Sequence, residues 1–241
     1  MLREIKKKQI ILENRKPYSH ETAEHIREIN MVDWISSSLR MDKSSLSRQE
    51  TERILGGEFI TNASLNEHAV IERYRDLINS VNDMAAMSYS LNKEMLATFY
   101  KKLTGKPDAP YRKENPVLVA LNYTPPHPSL IEEQMDILMN WFYGRDTDRN
   151  PVLKATNLHN RIIEVYPYDV YSEAIARAAM YYFLMENGYP PFELIFTEQE
   201  YNAAVAEYLK RGRTEPFYSG IERSIYNKMV LLMRLTDEGI I

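Results

Sequence analysis

The chain has 241 residues, of which 44% are apolar and 27% charged, enough for one large domain or two small ones around a real core. That composition excludes disorder as the main state, and a formal charge of −4 from 30 basic and 34 acidic residues lacks the basic excess of a nucleic-acid binder. Cysteine is absent, which excludes disulfides, thiolate catalysis and Cys-ligated metal centres and fits a cytoplasmic setting.

The charged start, Met1-Leu2-Arg3-Glu4-Ile5-Lys6-Lys7-Lys8, is not followed by a signal-type apolar run. The longest strongly apolar stretch, Ala174–Met185, falls short of the ~20 residues that span a bilayer, so no membrane partner is expected. The eight glycines include only one pair, Gly56-Gly57, and form no phosphate-binding glycine loop.

In chain order, residues 1–20 read as a peripheral arm and residues 21–241 as a single helical domain. Ile26, Ile29 and Ile35 mark a first helix. The capping box Ser47/Glu50 opens a short helix that Gly56-Gly57 stops. Ser64/Glu67 opens a long one, with Val70, Tyr74, Leu77, Val81 and Met84 along one face. Asn92 precedes another, carrying Met95, Leu96, Phe99 and Leu103. The β-rich run Val117–Tyr123 lies between Pro116 and Pro125-Pro126 and predicts one arm of a hairpin with Tyr111–Lys113. Ser129/Glu132 predicts a helix start before Ile131, Met135, Leu138 and Phe142, and Gly144–Asn150 predicts a polar loop. Ala174–Met185 is apolar almost all round, the pattern of a helix at the centre of a bundle; Asn187-Gly188 and Pro190-Pro191 end it. Thr197/Glu200 is a fourth capping box.

The segment Ile162–Pro191, IIEVYPYDVYSEAIARAAMYYFLMENGYPP, resembles the signature region of the Fic (Fido-fold) family: H-P-F-x-[DE]-G-N-G-R-x-x-R, an apolar helix, then a Gly-Tyr-Pro-like end. Tyr166 stands at the His, Pro167 at the Pro, Tyr168 at the Phe and Arg177 at the final Arg. Further matches follow in order. Ile35–Asp42 with Ser45–Thr51, inside 35–55, looks like the family's inhibitory segment. Residues 111–126 look like its flap hairpin, and Tyr201 is placed like the aromatic that lines its base pocket. The resemblance implies an all-α Fido fold with one small β-hairpin flap. It implies that Val117, Leu118, Val119, Ala120 and Leu121 form a target-docking strand, able to take an extended protein partner by strand addition. The oligomeric state stays open.

In the family the signature His takes a proton from a target hydroxyl, the Gly-Asn-Gly turn holds nucleotide phosphates at a helix N-terminus, the acidic residue holds Mg²⁺, and AMP passes to a target protein. Within 166–177 this chain departs from that pattern. Tyr166, a phenol with an ordinary pKa near 10, replaces the base. Tyr171-Ser172-Glu173 replaces the turn, Val170 the acid (with Asp169 one residue earlier) and Ala174 the first Arg. In the inhibitory-like segment, which includes Ser38, Arg40 stands at the Glu, Met41 at the Gly and Asp42 at the Asn. These departures point to a binding or regulatory pseudoenzyme with no metal and no cofactor. The alternative is an adenylyltransferase using ATP and Mg²⁺ in a non-standard site, with Ser172, Arg177 and Tyr201 as nucleotide contacts and Asp169, Glu173 or His159 in unusual roles. The charge reversals suggest an ion pair in the former pocket, Arg40 with Glu173 or Asp42 with Arg177.

Overall fold

The computed structural model describes residues 1–144 and 150–237. Among them stand ten α-helices: α1 Leu2–Asn14, α2 His20–Met41, α3 Arg48–Leu55, α4 Leu65–Ala86, α5 Lys93–Thr104, α6 Ile131–Tyr143, α7 Pro151–Val165, α8 Ser172–Glu186, α9 Glu198–Arg211 and α10 Glu215–Leu235. Residues 145–149 of the expected polar loop, and 238–241, lie outside the described residues. None of the described helices is long and apolar enough to cross a membrane.

The axis of the bundle is α8. Its Ala174, Ala176, Ala178 and Ala179 are buried, and these small side chains let α7 lie alongside it while α4 and α5 pack on its other faces. Tyr181, Tyr182 and Met180 fill the remaining volume at 0% exposure. Gly188 then takes φ +77°, a conformation that favours glycine, and turns the chain away. Around this axis α2 packs on α3, α4 and α10, and α9 closes against α7 and α10. The residues expected as an arm are helical over α1, which lies on α10 with Ile5 and Leu12 buried; Gln9 donates to the carbonyls of Asn187 and Gly188.

Three of the capping boxes form with both halves in place, at Ser47/Glu50, Ser64/Glu67 and Thr197/Glu200, and Asn92 caps α5 through the Met95 amide. The fourth does not. Pro128 starts a single 3-10 turn, Pro128–Leu130, with His127 accepting from the Ser129 amide, so Ser129 is inside that turn when α6 begins at Ile131. Glu132 is drawn instead to Lys93.

The expected hairpin is corrected as well. No strand occurs among the described residues. Val119–Leu121 is a 3-10 turn, Asn122 takes φ 46°, and one isolated bridge joins Leu118 to Tyr123. Pro116, Pro125 and Pro126 remove the donors that would extend a ladder. Tyr111–Lys113 does not pair with this run: the Arg112 amide donates to the Pro167 carbonyl at 3.0 Å. A free strand edge for partner addition at Val117–Leu121 is therefore absent.

Candidate functional site

The turn between α7 and α8 begins and ends on a residue with left-handed backbone, Tyr166 (φ 48°) and Tyr171 (φ 61°). Each costs a non-glycine residue ~1–2 kcal/mol, so the surroundings must hold the turn. Arg112 does so from outside, donating from Nε to the Tyr166 carbonyl at 2.7 Å. Ser172 does so from within: its hydroxyl accepts from the Tyr168 amide at 2.9 Å and donates to the Tyr168 carbonyl at 3.0 Å. The Tyr168 ring stacks on Tyr100, and Pro167 is buried beside it. Asp169 accepts from the Tyr100 hydroxyl at 2.8 Å and the Val170 amide at 3.0 Å through the same oxygen.

Beneath the turn lies a buried polar centre. Arg177 on α8 has no solvent exposure; its Nη2 donates to Asp42 Oδ1 at 2.5 Å and reaches the Tyr74 hydroxyl at 3.4 Å. Tyr74 in turn donates to Asp42 Oδ2. Burial by itself lowers the pKa of Arg177, but Asp42 beside it outweighs that and the guanidinium is held charged, well above its ordinary value. Its Nε and Nη1 are buried without a hydrogen-bond partner, as are Ser38 Oγ and Asn160 Nδ2. The guanidinium lies 5.8 Å from the centre of the Tyr201 ring. His159 links Tyr201 (2.8 Å from Nε2) to the Asn160 side-chain oxygen (3.0 Å from Nδ1) and stacks on Phe217. Burial pushes His159 down to about 3. It is neutral, and the network sets its tautomer: Nδ1–H donates to Asn160 and Nε2 accepts from Tyr201.

Glu173 and Tyr166 face this centre from the turn. Burial raises the Glu173 carboxyl, Asp42 and Glu198 add to that, and Arg177 and Lys43 oppose it. Burial pushes the Tyr166 phenol up to about 12, with Glu173 and Asp42 contributing. A phenol in that range stays protonated at neutral pH.

Of the two ion pairs expected from the sequence, Asp42–Arg177 forms and Arg40–Glu173 does not. Arg40 and Asp42 are two positions apart at the end of α2, and such residues do not share a helix face. Arg40 turns outward to Glu193 at 3.1 Å and the Leu194 carbonyl. The structure thus gathers Ser172, Glu173, Arg177, Tyr201, Tyr166 and Asp42 in one region and leaves Arg40 and Asp169 directed elsewhere. Val117 and Val119 are exposed, 67% and 82%, at the tip of the 112–126 loop. Tyr74 escaped the sequence reading because it occupies an apolar register position of α4. The clamp by Arg112 left no sequence signal, since its acceptors are backbone carbonyls apart from the nearby Asn115 side-chain oxygen.

A helical turn of this kind, with an arginine at the sixth position of α8, invites comparison with known proteins. The family model for Fic/DOC matches residues 64–184, half of the chain. The chain belongs to the Fic/DOC family. Its Fic relatives include a protein adenylyltransferase Fic of Nematostella vectensis, 21% identical over 204 residues; the match covers 83% of this chain and 46% of that protein, so the chain spans about half of its relative's length. Among solved structures, Fic-1 of C. elegans superposes with a TM-score of 0.80 at 19% identity, covering 97% of this chain and 71% of that one. A Fic domain-containing signalling protein of Bacteroides thetaiotaomicron gives 0.84 at 16% identity, covering 98% and 99%. At these identities the likeness establishes the Fic fold.

Proposed function

We propose that this Fic-family chain is a pseudoenzyme that works in protein binding or regulation without adenylyl transfer. The observation that carries this reading is the Asp42–Arg177 ion pair at 2.5 Å. In the Fic resemblance Arg177 is the one signature arginine retained, and here it is already neutralised by a carboxylate of the same chain.

The residues present do not fit ATP with Mg²⁺. A triphosphate seated on the first turn of α8 meets Glu173, which has no ion-pair partner among the described residues, and Asp42 beside it. Like charges in a half-buried site repel strongly. Ser172 has both hydrogen-bonding capacities engaged with Tyr168. Asp169, the acidic side chain one residue before the signature acid position, is already engaged by the Tyr100 hydroxyl. Tyr166, protonated at neutral pH, is a poor general base.

The second reading is an adenylyltransferase with a non-standard site. One observation favours it: Arg177 Nε and Nη1 are buried donors with no acceptor, as an anion-binding group would leave them when empty. Thermal unfolding with millimolar ATP, GTP, CTP or UTP, with and without Mg²⁺, separates the two. The pseudoenzyme reading expects no stabilisation. A ligand at 100 times its Kd would add ~2.7 kcal/mol, a shift of several degrees in a chain of this size. A Mg²⁺-dependent shift that Arg177→Lys abolishes would overturn the pseudoenzyme reading.

A further inference from the structure

Arg112 is buried, at 4% exposure, yet no carboxylate lies against it among the described residues; burial lowers its pKa. Its side-chain partners are four backbone carbonyls and one amide side-chain oxygen. Nε donates to the Tyr166 carbonyl at 2.7 Å and Nη2 reaches the Val165 carbonyl at 3.4 Å, the carbonyls of the α7 C-cap and of the last residue of α7. Nη1 donates to the Glu114 carbonyl at 2.8 Å and to Asn115 Oδ1 at 3.0 Å, and Nη2 also donates to the Pro126 carbonyl. Its own amide holds Pro167 at 3.0 Å.

One side chain therefore does two things. It clips together both ends of the 112–126 loop, since Arg112 and Pro126 bound that loop. It also caps the C-terminus of α7, where the helix leaves unpaired carbonyls and a partial negative charge, and so fixes Tyr166 in its left-handed conformation. The same guanidinium cannot serve both sets of acceptors if either moves by more than a fraction of an ångström, because its donors form a rigid planar fork. A second contact runs in parallel, from the Tyr123 hydroxyl to the Glu164 carbonyl at 2.9 Å.

We propose that Arg112 is a coupling residue that makes the conformation of the 112–126 loop, exposed at Val117 and Val119, and that of the Tyr166–Tyr171 turn mutually dependent, so that displacing the loop tip loosens the turn above Arg177. The claim is independent of whether the site binds a nucleotide. It assigns to the loop a role as the input of a built-in conformational linkage, with the turn as its output.

Amide hydrogen exchange and a double-variant cycle test it on the full chain. The Tyr166 and Tyr168 amides, bonded to the Ile162 carbonyl and to Ser172 Oγ, report on the turn. Val119→Gly with Ala120→Gly loosens the loop tip without touching Arg112 or the turn. Exchange at Tyr166 and Tyr168 is expected to rise by about tenfold or more in that variant, while amides of α1 stay unchanged. Arg112→Lys keeps the charge and removes the fork; it is expected to raise exchange at the turn by itself and to reduce the further effect of the glycines, the Tyr123 contact to Glu164 carrying what remains. Additive effects of the two changes would overturn the proposal. If Arg112→Lys does not fold, the glycine variant decides alone, and unchanged exchange at Tyr166 and Tyr168 overturns the proposal.

Discussion

The Asp42 carboxylate, at the C-terminal end of α2, and the Arg177 guanidinium, on the second turn of α8, meet at 2.5 Å although 135 residues separate them. The guanidinium is inaccessible to water and the carboxylate side chain is 27% exposed. Tyr74 bridges the pair from α4. Three helices thus converge on one charge pair, and the first prediction follows from its burial.

Replacing Asp42 by Ala leaves a buried cation with the Tyr74 and Tyr201 hydroxyls near it but no carboxylate within ion-pair distance. Breaking a buried pair from one side costs about 3–5 kcal/mol, and the partial exposure of Asp42 puts this case at about 3. Chemical denaturation of Asp42→Ala should show that loss with the slope against denaturant unchanged. A loss below about 1 kcal/mol would mean that water reaches Arg177 freely.

The pH dependence of stability should carry two opposed contributions. His159 is held near 3 by burial, below its ordinary 6.5, so the unfolded chain binds more protons between those values. Its contribution is present at neutral pH and is lost as pH falls below about 6.5, at up to ~1.4 kcal/mol per pH unit. Glu173, raised by burial, acts the other way: its folded form prefers the proton, so its ionisation disfavours folding as pH rises through the folded value. Denaturation between pH 7 and 5 should show a shallower fall in stability for His159→Gln than for wild type, and Glu173→Gln should raise stability at pH 7.

Gly220 on α10 tests a close approach. A Cβ there would sit 1.9 Å from the Phe196 ring, which also stacks on Phe217. Gly220→Ala must push that ring aside, an overpacking cost of about 1–3 kcal/mol, despite alanine's better helix propensity. A midpoint that rises in a melting experiment would show that the Phe196 ring moves without loss.

Tyr171 tests the strained turn. Its φ of 61° suits glycine. Removing a large buried aromatic ordinarily costs about 3–5 kcal/mol, but Tyr171→Gly removes a half-buried ring and relieves ~1–2 kcal/mol of backbone strain. The net change should stay within about 1 kcal/mol in denaturant titration.

The helical elements were legible because their signals are local. The three intact capping boxes, the apolar register of α4 and the all-round apolar run of α8 each depend on residues within a few positions of one another. The Fic resemblance placed Arg177, Tyr201 and Asp42 in one neighbourhood through their order along the chain. The β-rich composition of Val117–Tyr123 misled because strand propensity needs a partner strand, and the prolines around it deny one. Ser129/Glu132 misled because a proline and a lysine on another helix competed for the same groups.

By itself, then, the sequence determined a helical bundle around α8 and its Fic membership. Which charges meet was decided only in the folded chain. Arg40 and Asp42 were equal candidates for a partner until the end of α2 pointed one to Glu193 and the other to Arg177. Arg112 had no visible role until folding brought the carbonyls of Val165, Tyr166 and Pro126 around it. Capping and periodicity are written over three or four residues; charge pairing and carbonyl capture depend on side-chain direction across distant segments, which only tertiary packing sets.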